Sequence, residues 1–227
     1  MDHRTNEHPL NPLPPVVWLL AGPIILGEIL FGIGHAGVAG DAALGWRLDA
    51  LQRFAFDPGI LRQMIAQNLW PWRQVARIVT YPFVHGSLTH AAMVLVFVLA
   101  LGKMVGEIFR GWAVAAVFFG ASIVGALVYT AVPFTQGALY GGYPGAYGLI
   151  GAFTWLLWVR LGATNANRTR AFSLIGMLMA IQLVFAAIFG GTLDWIAEFA
   201  GFVAGFGLSF LVAPGGWRHT LARLRKR

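Results

Sequence analysis

Long apolar runs, separated by short polar or glycine-rich stretches, follow one another along most of the chain. Each run is close to the roughly 20 residues that a helix needs to cross the hydrocarbon core of a bilayer. The pattern therefore predicts an all-α integral membrane protein with six membrane-spanning helices. The predicted spans cover residues 16–34, 88–108, 112–132, 141–161, 171–190 and 194–213.

The predicted spans form one membrane domain over residues 16–213. The domain follows a polar, Pro-rich lead at 1–15, which we expect to be disordered, and precedes a basic tail at 214–227. Small residues at 36–40, after the first span, resemble a signal-peptidase site. Glu28 within the apolar run and the weakly basic N-terminus favour a retained helix instead.

A long first loop, residues 41–87, mixes tryptophans and five arginines with apolar residues. Its middle has apolar side chains at helical spacing, as in an amphipathic helix that lies in the plane of the membrane surface. These side chains belong to Ile60, Leu61, Met64, Ile65 and Leu69. Tryptophans are typical of the headgroup region. We expect a loop that half-enters the membrane surface, with a solvated extramembrane subdomain as the alternative.

Composition supports the membrane class. The chain is 58% hydrophobic and 11% charged, with a mean hydropathy of +0.69, and a soluble fold of 227 residues could not bury so much apolar surface. Nucleic-acid binding would need a basic face on a soluble domain, and no residues are left over to form one. The absence of cysteine excludes disulfides and thiolate metal sites.

The basic residues are distributed unevenly between the two sides of the predicted bundle. Eleven of the 16 Lys and Arg lie at the termini or in the loops on the same side as the termini, and the first loop holds the other five. Cytoplasmic loops carry an excess of Lys and Arg. We therefore expect both termini in the cytoplasm, and a bacterial inner membrane as the location.

Glycines mark the helix faces that can pack closely. Gly145, Gly148 and Gly151 recur every third residue at the start of span four, and Gly201 and Gly205 have the small-xxx-small spacing in span six. We expect these two faces to meet. Pro144 is tolerated only in a first helical turn, so it predicts where span four begins and places Tyr143 at or next to the N-cap.

Polar side chains at membrane depth are costly, so each is a candidate functional residue. His85 and His90 stand at the start of span two, Tyr143 and Tyr147 at the start of span four, and Glu198 follows Asp194 by one helical turn in span six. If the glycine faces meet, Glu198 and Tyr143 are neighbours. The simplest interpretation is a self-satisfied polar cluster in which Glu198 accepts hydrogen bonds from Tyr143 and His90. A proton or ligand site is the alternative; the spacing matches no standard metal site, and no cofactor is expected.

Three motifs carry a family resemblance. They are Arg77-x-x-Thr80-x-x-Phe83-x-His85-x-x-x-x-His90, Gly141-Gly142-Tyr143-Pro144 with the glycines that follow, and Glu198-x-x-Gly201-x-x-x-Gly205. Trp46-Arg47 and Glu107 agree more weakly. In order and spacing, these motifs resemble the rhomboid intramembrane serine proteases. The resemblance implies a six-helix rhomboid-like bundle with a long interfacial first loop.

The resemblance also assigns positions to the family's catalytic groups. The serine nucleophile falls on Tyr143, the histidine base on Glu198, and the two oxyanion residues on His90 and Val94. Tyr147 matches the aromatic residue that packs against the catalytic histidine, and Pro144 replaces the glycine after the nucleophile. Only His90 keeps the family's residue among these four catalytic positions.

We therefore expect an inactive rhomboid that binds transmembrane segments of client proteins. The alternatives are an intramembrane serine-type endopeptidase with non-standard site residues and a pathway for a small solute or protons. The expected partners are the lipid bilayer and client helices, with contact near Gln182 in span five. Ser122 and Ser209 are expected to bond to their own helix backbone rather than to act as nucleophiles.

Overall fold

The computed structural model describes residues 12–37, 40, 43–189 and 191–215. Within these residues the regular structure is helical, without a β-strand. The α-helices are α1 (Pro15–His35), α2 (Trp46–Phe54), α3 (Pro58–Gln67), α4 (Trp72–Thr80), α5 (Leu88–Gly106), α6 (Gly111–Ala131), α7 (Tyr143–Ala163), α8 (Ser173–Phe189) and α9 (Trp195–Val212). Short 3-10 turns at Tyr81–Phe83 and Arg168–Phe172 precede α5 and α8.

Among the described residues, five helices are long and apolar enough to cross a membrane: α1, α5, α6, α7 and α9. They correspond to predicted spans one, two, three, four and six. The helix at span five, α8, has 17 residues and begins at Ser173, because the 3-10 turn uses the two residues assigned to its start. The side chain of Asn167 accepts a hydrogen bond from the Thr169 amide and thereby stabilises that turn.

Some boundary predictions need correction or lie outside the described residues. Pro15, assigned to the lead, is the first residue of α1, where its missing N–H costs no hydrogen bond. Residues 1–11 of the lead, residues 38–39 of the small-residue stretch, Gly190 and residues 216–227 of the tail are not among the described residues.

In its described residues, 43–87, the first loop forms three short α-helices, α2, α3 and α4. The predicted amphipathic helix corresponds to α3, which buries Leu61 and Met64 and leaves Ile65 exposed. The side chain of Asp57 caps its N-terminus by accepting hydrogen bonds from two backbone amides. The loop therefore presents an apolar face to the bundle and a second apolar strip, including Leu69 and Trp72, to its surroundings.

Arg62 ties this loop to the bundle. Its guanidinium donates hydrogen bonds to the carbonyl oxygens of Thr130 (2.9 Å), Val132 (2.6 Å) and Thr135 (3.0 Å), where α6 ends. The last carbonyls of a helix have no partner within the helix. Arg62 therefore supplies the C-terminal cap of α6 and fixes the direction in which the chain leaves it.

A second tie joins the loop to α1. Arg47 forms a two-pronged ion pair with Glu28, with N···O distances of 2.9 and 2.8 Å, and also donates to the carbonyl oxygen of His85 at 2.9 Å. The costly carboxylate that the sequence places within span one is thus neutralised by the first loop. Arg47 holds both α1 and the segment that leads into α5.

Helix α7 lies between α6 and α9, and its glycines allow close contact on both sides. A Cβ on Gly145 would lie 2.6 Å from the Phe118 ring in α6, whereas one on Gly151 would meet the backbone of Phe202 in α9. Every third residue turns 60° around a helix, so a three-residue repeat cannot stay on a single face. The glycines of α7 therefore face both neighbours, α6 as well as α9.

The glycines of α9 do meet α7. A Cβ on Gly201 would clash with the backbone of Pro144, and one on Gly205 with the backbone of Gly148. This close approach of the two backbones brings the N-terminal ends of α7 and α9 together. Tyr143 and Glu198 are carried on these two ends.

Candidate functional site

The helices α5, α7 and α9 all begin on the side of the bundle that holds the first loop, which we call the loop side. Here an open cavity of about 430 Å³ is lined by residues from their first turns. Its lining includes His90, Tyr143 and Glu198, which the sequence resemblance assigns to catalytic positions, together with Pro144 and Gln182. The structure thus places the predicted neighbours Tyr143 and Glu198 on one cavity.

Tyr143 is the first residue of α7, and its ring lies on the ring of His90. The two centroids are 5.0 Å apart and the planes are tilted by only 17°, so the rings are stacked. The ring of Phe97 also packs against the Tyr143 ring, with centroids 6.5 Å apart and an angle of 62° between the planes. The phenol is therefore held by aromatic contacts rather than positioned by a hydrogen bond from its histidine neighbour.

Glu198 lies one turn into α9 and is only 5% exposed. Its Oε2 accepts a hydrogen bond from Nε2 of Gln182 at 2.5 Å, and Oε1 of Gln182 accepts one from the Tyr147 hydroxyl at 3.3 Å. The expectation that Glu198 bonds to Tyr143 and His90 is therefore wrong. An amide from α8 reaches the carboxylate instead, while the stacked rings of Tyr143 and His90 hold each other.

His85 supports the backbone in front of Tyr143. Its side chain is buried, and its Nε2 accepts a hydrogen bond from the Gly142 amide at 3.3 Å. Burial is the main reason why the pKa of His85 is lowered to about 3. The charges of His90 and Arg47 lower this pKa further, whereas a hydrogen bond with the Phe83 backbone raises it. The imidazole is consequently neutral at physiological pH and can act as the acceptor.

The turn before Tyr143 leaves no room for larger residues. Gly141 has a left-handed φ of 89°, and a Cβ there would lie 2.5 Å from Nε2 of His90. A Cβ on Gly142 would lie 2.9 Å from a methyl group of Val94, which is fully buried. Val94, which the sequence resemblance assigns to an oxyanion position, thus presents an apolar side chain without a hydrogen-bond donor.

The hydroxyl groups of the bundle and of the cavity wall form local hydrogen bonds. Ser122 donates to the Phe118 carbonyl at 2.9 Å and Ser209 to the Gly205 carbonyl at 2.7 Å, which confirms the prediction that both bond to their own helices. Ser87, which lines the cavity, caps α5 by accepting a hydrogen bond from the His90 amide. Thr192 donates to Oδ2 of Asp194 at 2.8 Å, also at the cavity wall.

Comparison with known families identifies the fold. A family model described as Rhomboid domain matches residues 72–215, more than half of the chain. The chain belongs to the rhomboid family. No curated protein is similar enough to the chain to count as a match. The family, together with five apolar helices of spanning length, makes this rhomboid an integral membrane protein in contact with the lipid bilayer.

The sequence analysis did not predict the roles of two residues in the site, Gln182 and Tyr140. Gln182 was expected near client helices, but not as the partner of Glu198, although it is the only amide side chain in α8 and a polar residue at that depth needs a partner. Tyr140 also lines the cavity, and its ring lies 5.8 Å from that of His90. It precedes the glycine turn and carries no periodic signal that would have singled it out.

Proposed function

We propose that this rhomboid is a catalytically inactive member of its family and binds the transmembrane segments of client proteins. The observation that supports this most strongly is the pairing of Tyr143 with His90 by ring stacking, at the position where the family has its serine. A serine nucleophile requires a base within hydrogen-bond reach of its hydroxyl. Here the residue at the base position, Glu198, is hydrogen-bonded to Gln182.

The chemistry at these positions is unfavourable for acyl transfer. Imidazole takes up a proton from serine and returns it to the leaving amine because its pKa is near neutrality, whereas a carboxylate is a weaker base in water. One oxyanion donor contributes about 3–4 kcal/mol to transition-state stabilisation, and Val94 has no donor. Pro144 also lacks the amide that a glycine after the nucleophile would provide. Three losses at one site support an inactive protein.

The proposal includes six spans and cytoplasmic termini. At 1.5 Å per residue, the 17 residues of α8 reach about 25 Å, which is at the lower limit for a span. If α8 also crosses the membrane, the bundle has six spans and both termini lie on the side opposite the loop side. The basic residues are concentrated on this side of the termini. The cavity then faces the periplasm of a bacterial inner membrane, and residues 16–213 act as one membrane domain between lead and tail.

Client binding would use the cavity and the edge formed by α8. The short α8 and the interfacial helix α3 are features that favour a locally thinned bilayer. A client helix interrupted by glycine or proline has free backbone groups that are costly in lipid, and the polar groups of the cavity can satisfy them. Such a segment would gain more from leaving the lipid than an unbroken apolar helix.

Photocrosslinking in lipid tests client binding. We would introduce p-benzoylphenylalanine at Leu183, which is exposed beside Gln182, and as a control at Met104, which is exposed near the other end of α5. Single-span peptides of equal length, with or without a central Gly-Pro pair, would be compared in the same vesicles. We expect crosslinks from Leu183 to the interrupted peptide and not from Met104. Equal crosslinking at both positions, or none at Leu183, would contradict client binding here.

One observation favours an alternative, a protease with non-standard residues. The hydroxyl of Thr192 donates to the Asp194 carboxylate within the same cavity. A hydroxyl beside a carboxylate can be activated only if the carboxylate accepts its proton. The protease alternative therefore predicts that Thr192→Val abolishes any cleavage while leaving client crosslinking intact. The third possibility, a pathway for protons or a small solute, lacks a comparable observation.

A further inference from the structure

The acidic residues that line the cavity on the loop side are not matched by a Lys or Arg among the described lining residues. Two carboxylates, Asp194 and Glu198, line it one helical turn apart, and none of the described residues in its lining is a Lys or an Arg. Each carboxylate has a neutral partner: Thr192 donates to Asp194, and Gln182 donates to Glu198. Arg47, which reaches the His85 carbonyl, is already paired with Glu28, and Arg62 is bonded to the carbonyls at the end of α6.

Aromatic rings complete the lining. Tyr140 and Tyr143 both contribute to the cavity wall, on either side of the glycine turn. The face of a phenol ring attracts a cation within about 6 Å of its centroid, and the attraction grows as the site loses water. Carboxylates combined with aromatic side chains in one cavity are suited to an organic cation on an aliphatic arm, such as an ammonium or guanidinium group.

We infer that the cavity recognises a Lys or Arg side chain near the loop-side end of a client's transmembrane segment. This inference rests on the proposed client-binding function and specifies which clients are taken. Glu198, almost fully buried, gains most from such a partner, because a buried carboxylate without a cation is costly in lipid. In the proposed orientation the client's basic residue lies at the periplasmic end of its span, where Lys and Arg are uncommon. The cavity would therefore select a minority of membrane proteins.

A set of matched peptides measures the contribution of the charge. Three single-span peptides would differ only at the loop-side end of the span, which carries lysine, norleucine or glutamate, and each would be crosslinked from Met93, an exposed residue that lines the cavity. A hydrogen-bonded charge contributes about 1.5–3 kcal/mol, so we expect the lysine peptide to crosslink at least about tenfold more efficiently than the norleucine peptide. The glutamate peptide should crosslink least.

Protein variants assign the preference to the cavity. Asp194→Asn combined with Glu198→Gln should reduce the lysine preference to near unity, and glutamine at 198 can still accept the hydrogen bond from Gln182. Asp49→Asn, which removes an exposed carboxylate of α2 outside the cavity, should leave the preference unchanged. Butylamine at millimolar concentration would be added as a soluble competitor.

The outcomes separate the inference from the function on which it rests. Equal crosslinking of the lysine and norleucine peptides overturns cation recognition but leaves client binding standing. No crosslinking of any peptide overturns both. Displacement by butylamine without a preference for the lysine peptide assigns the cavity to a free amine and overturns the client side chain as its ligand. A preference that survives in the double variant overturns the cavity carboxylates as its cause.

Discussion

The close approach of α7 and α9 makes a quantitative prediction for a single methyl group. A Cβ on Gly205 would lie 2.5 Å from Cα and 2.6 Å from the carbonyl carbon of Gly148. Carbon atoms prefer a separation of about 3.5–4.0 Å, so Gly205→Ala must push the two backbones apart by about 1 Å. Overpacking of this kind costs about 1–3 kcal/mol in well-packed cores.

Gly207 provides a matched control in the same helix. A Cβ there meets no atom within 4 Å, so Gly207→Ala changes helix propensity without changing packing. Alanine is favoured over glycine in a helix by about 1 kcal/mol, and both variants share this gain. We therefore expect Gly205→Ala to be less stable than Gly207→Ala by about 1–3 kcal/mol.

The assay is reversible unfolding of the purified protein in mixed micelles, followed by tryptophan fluorescence as the denaturing detergent is increased. The relevant quantity is the difference in unfolding free energy between the two alanine variants. Equal stability of the variants, or greater stability of Gly205→Ala, would refute the close contact between α7 and α9. Since this contact sets the distance between Tyr143 and Glu198, it would also refute the geometry of the site.

Two further predictions concern residues outside the spans. Arg62→Lys removes the planar donor group that caps α6 and should lower the unfolding free energy by about 1–3 kcal/mol. The control Arg53→Lys, at an exposed position in α2, should have little effect on the unfolding free energy. Equal effects of the two substitutions would argue against the cap. Because burial lowers the pKa of His85 to about 3, the unfolded chain binds a proton more readily below pH 6.5, and stability falls from there toward pH 3 by up to about 1.4 kcal/mol per pH unit. His85→Gln keeps an acceptor for the Gly142 amide, so between pH 7 and pH 5 it should lose less stability than the unaltered protein, and an equal loss would contradict a buried neutral imidazole.

The main helices could be predicted from the sequence because apolar length is a direct requirement of the bilayer. The start of α7 illustrates the remaining error. Pro144 correctly indicated a first turn, but the helix begins at Tyr143 rather than at residue 141, because Gly141 has a left-handed φ that a helix cannot contain. Hydropathy does not report backbone conformation, so it could not locate this turn.

Long-range polar pairs were the part of the fold that could not be predicted. Glu28 stood out as a charge within an apolar run, but its partner Arg47 lies 19 residues away in the first loop. Arg62 caps a helix end that is about 70 residues away in sequence. These pairs depend on how the loop folds back on the bundle, and no periodicity encodes that arrangement.

The candidate site was also predictable only in part, in its residues but not in its hydrogen bonds. The resemblance to rhomboids placed His90, Tyr143 and Glu198 together, and the structure brings all three to one cavity. The expected hydrogen bonds among them were wrong: the carboxylate accepts one from the Gln182 amide in α8, and Tyr143 and His90 are stacked on each other. The position of α8 against α9 is a tertiary feature, whereas the motif spacing describes only one helix at a time.

Cleavage of a generic rhomboid substrate by the purified protein in lipid vesicles tests the proposed inactivity most directly. The unaltered protein would be compared with a variant that restores the family's residues: Tyr143→Ser, Pro144→Gly, Glu198→His and Val94→Asn. We predict that the unaltered protein leaves the substrate intact and that the restored variant cuts it. Cleavage by the unaltered protein that is abolished by Tyr143→Phe or Glu198→Gln would contradict the proposal, since these residues would then form a working catalytic pair.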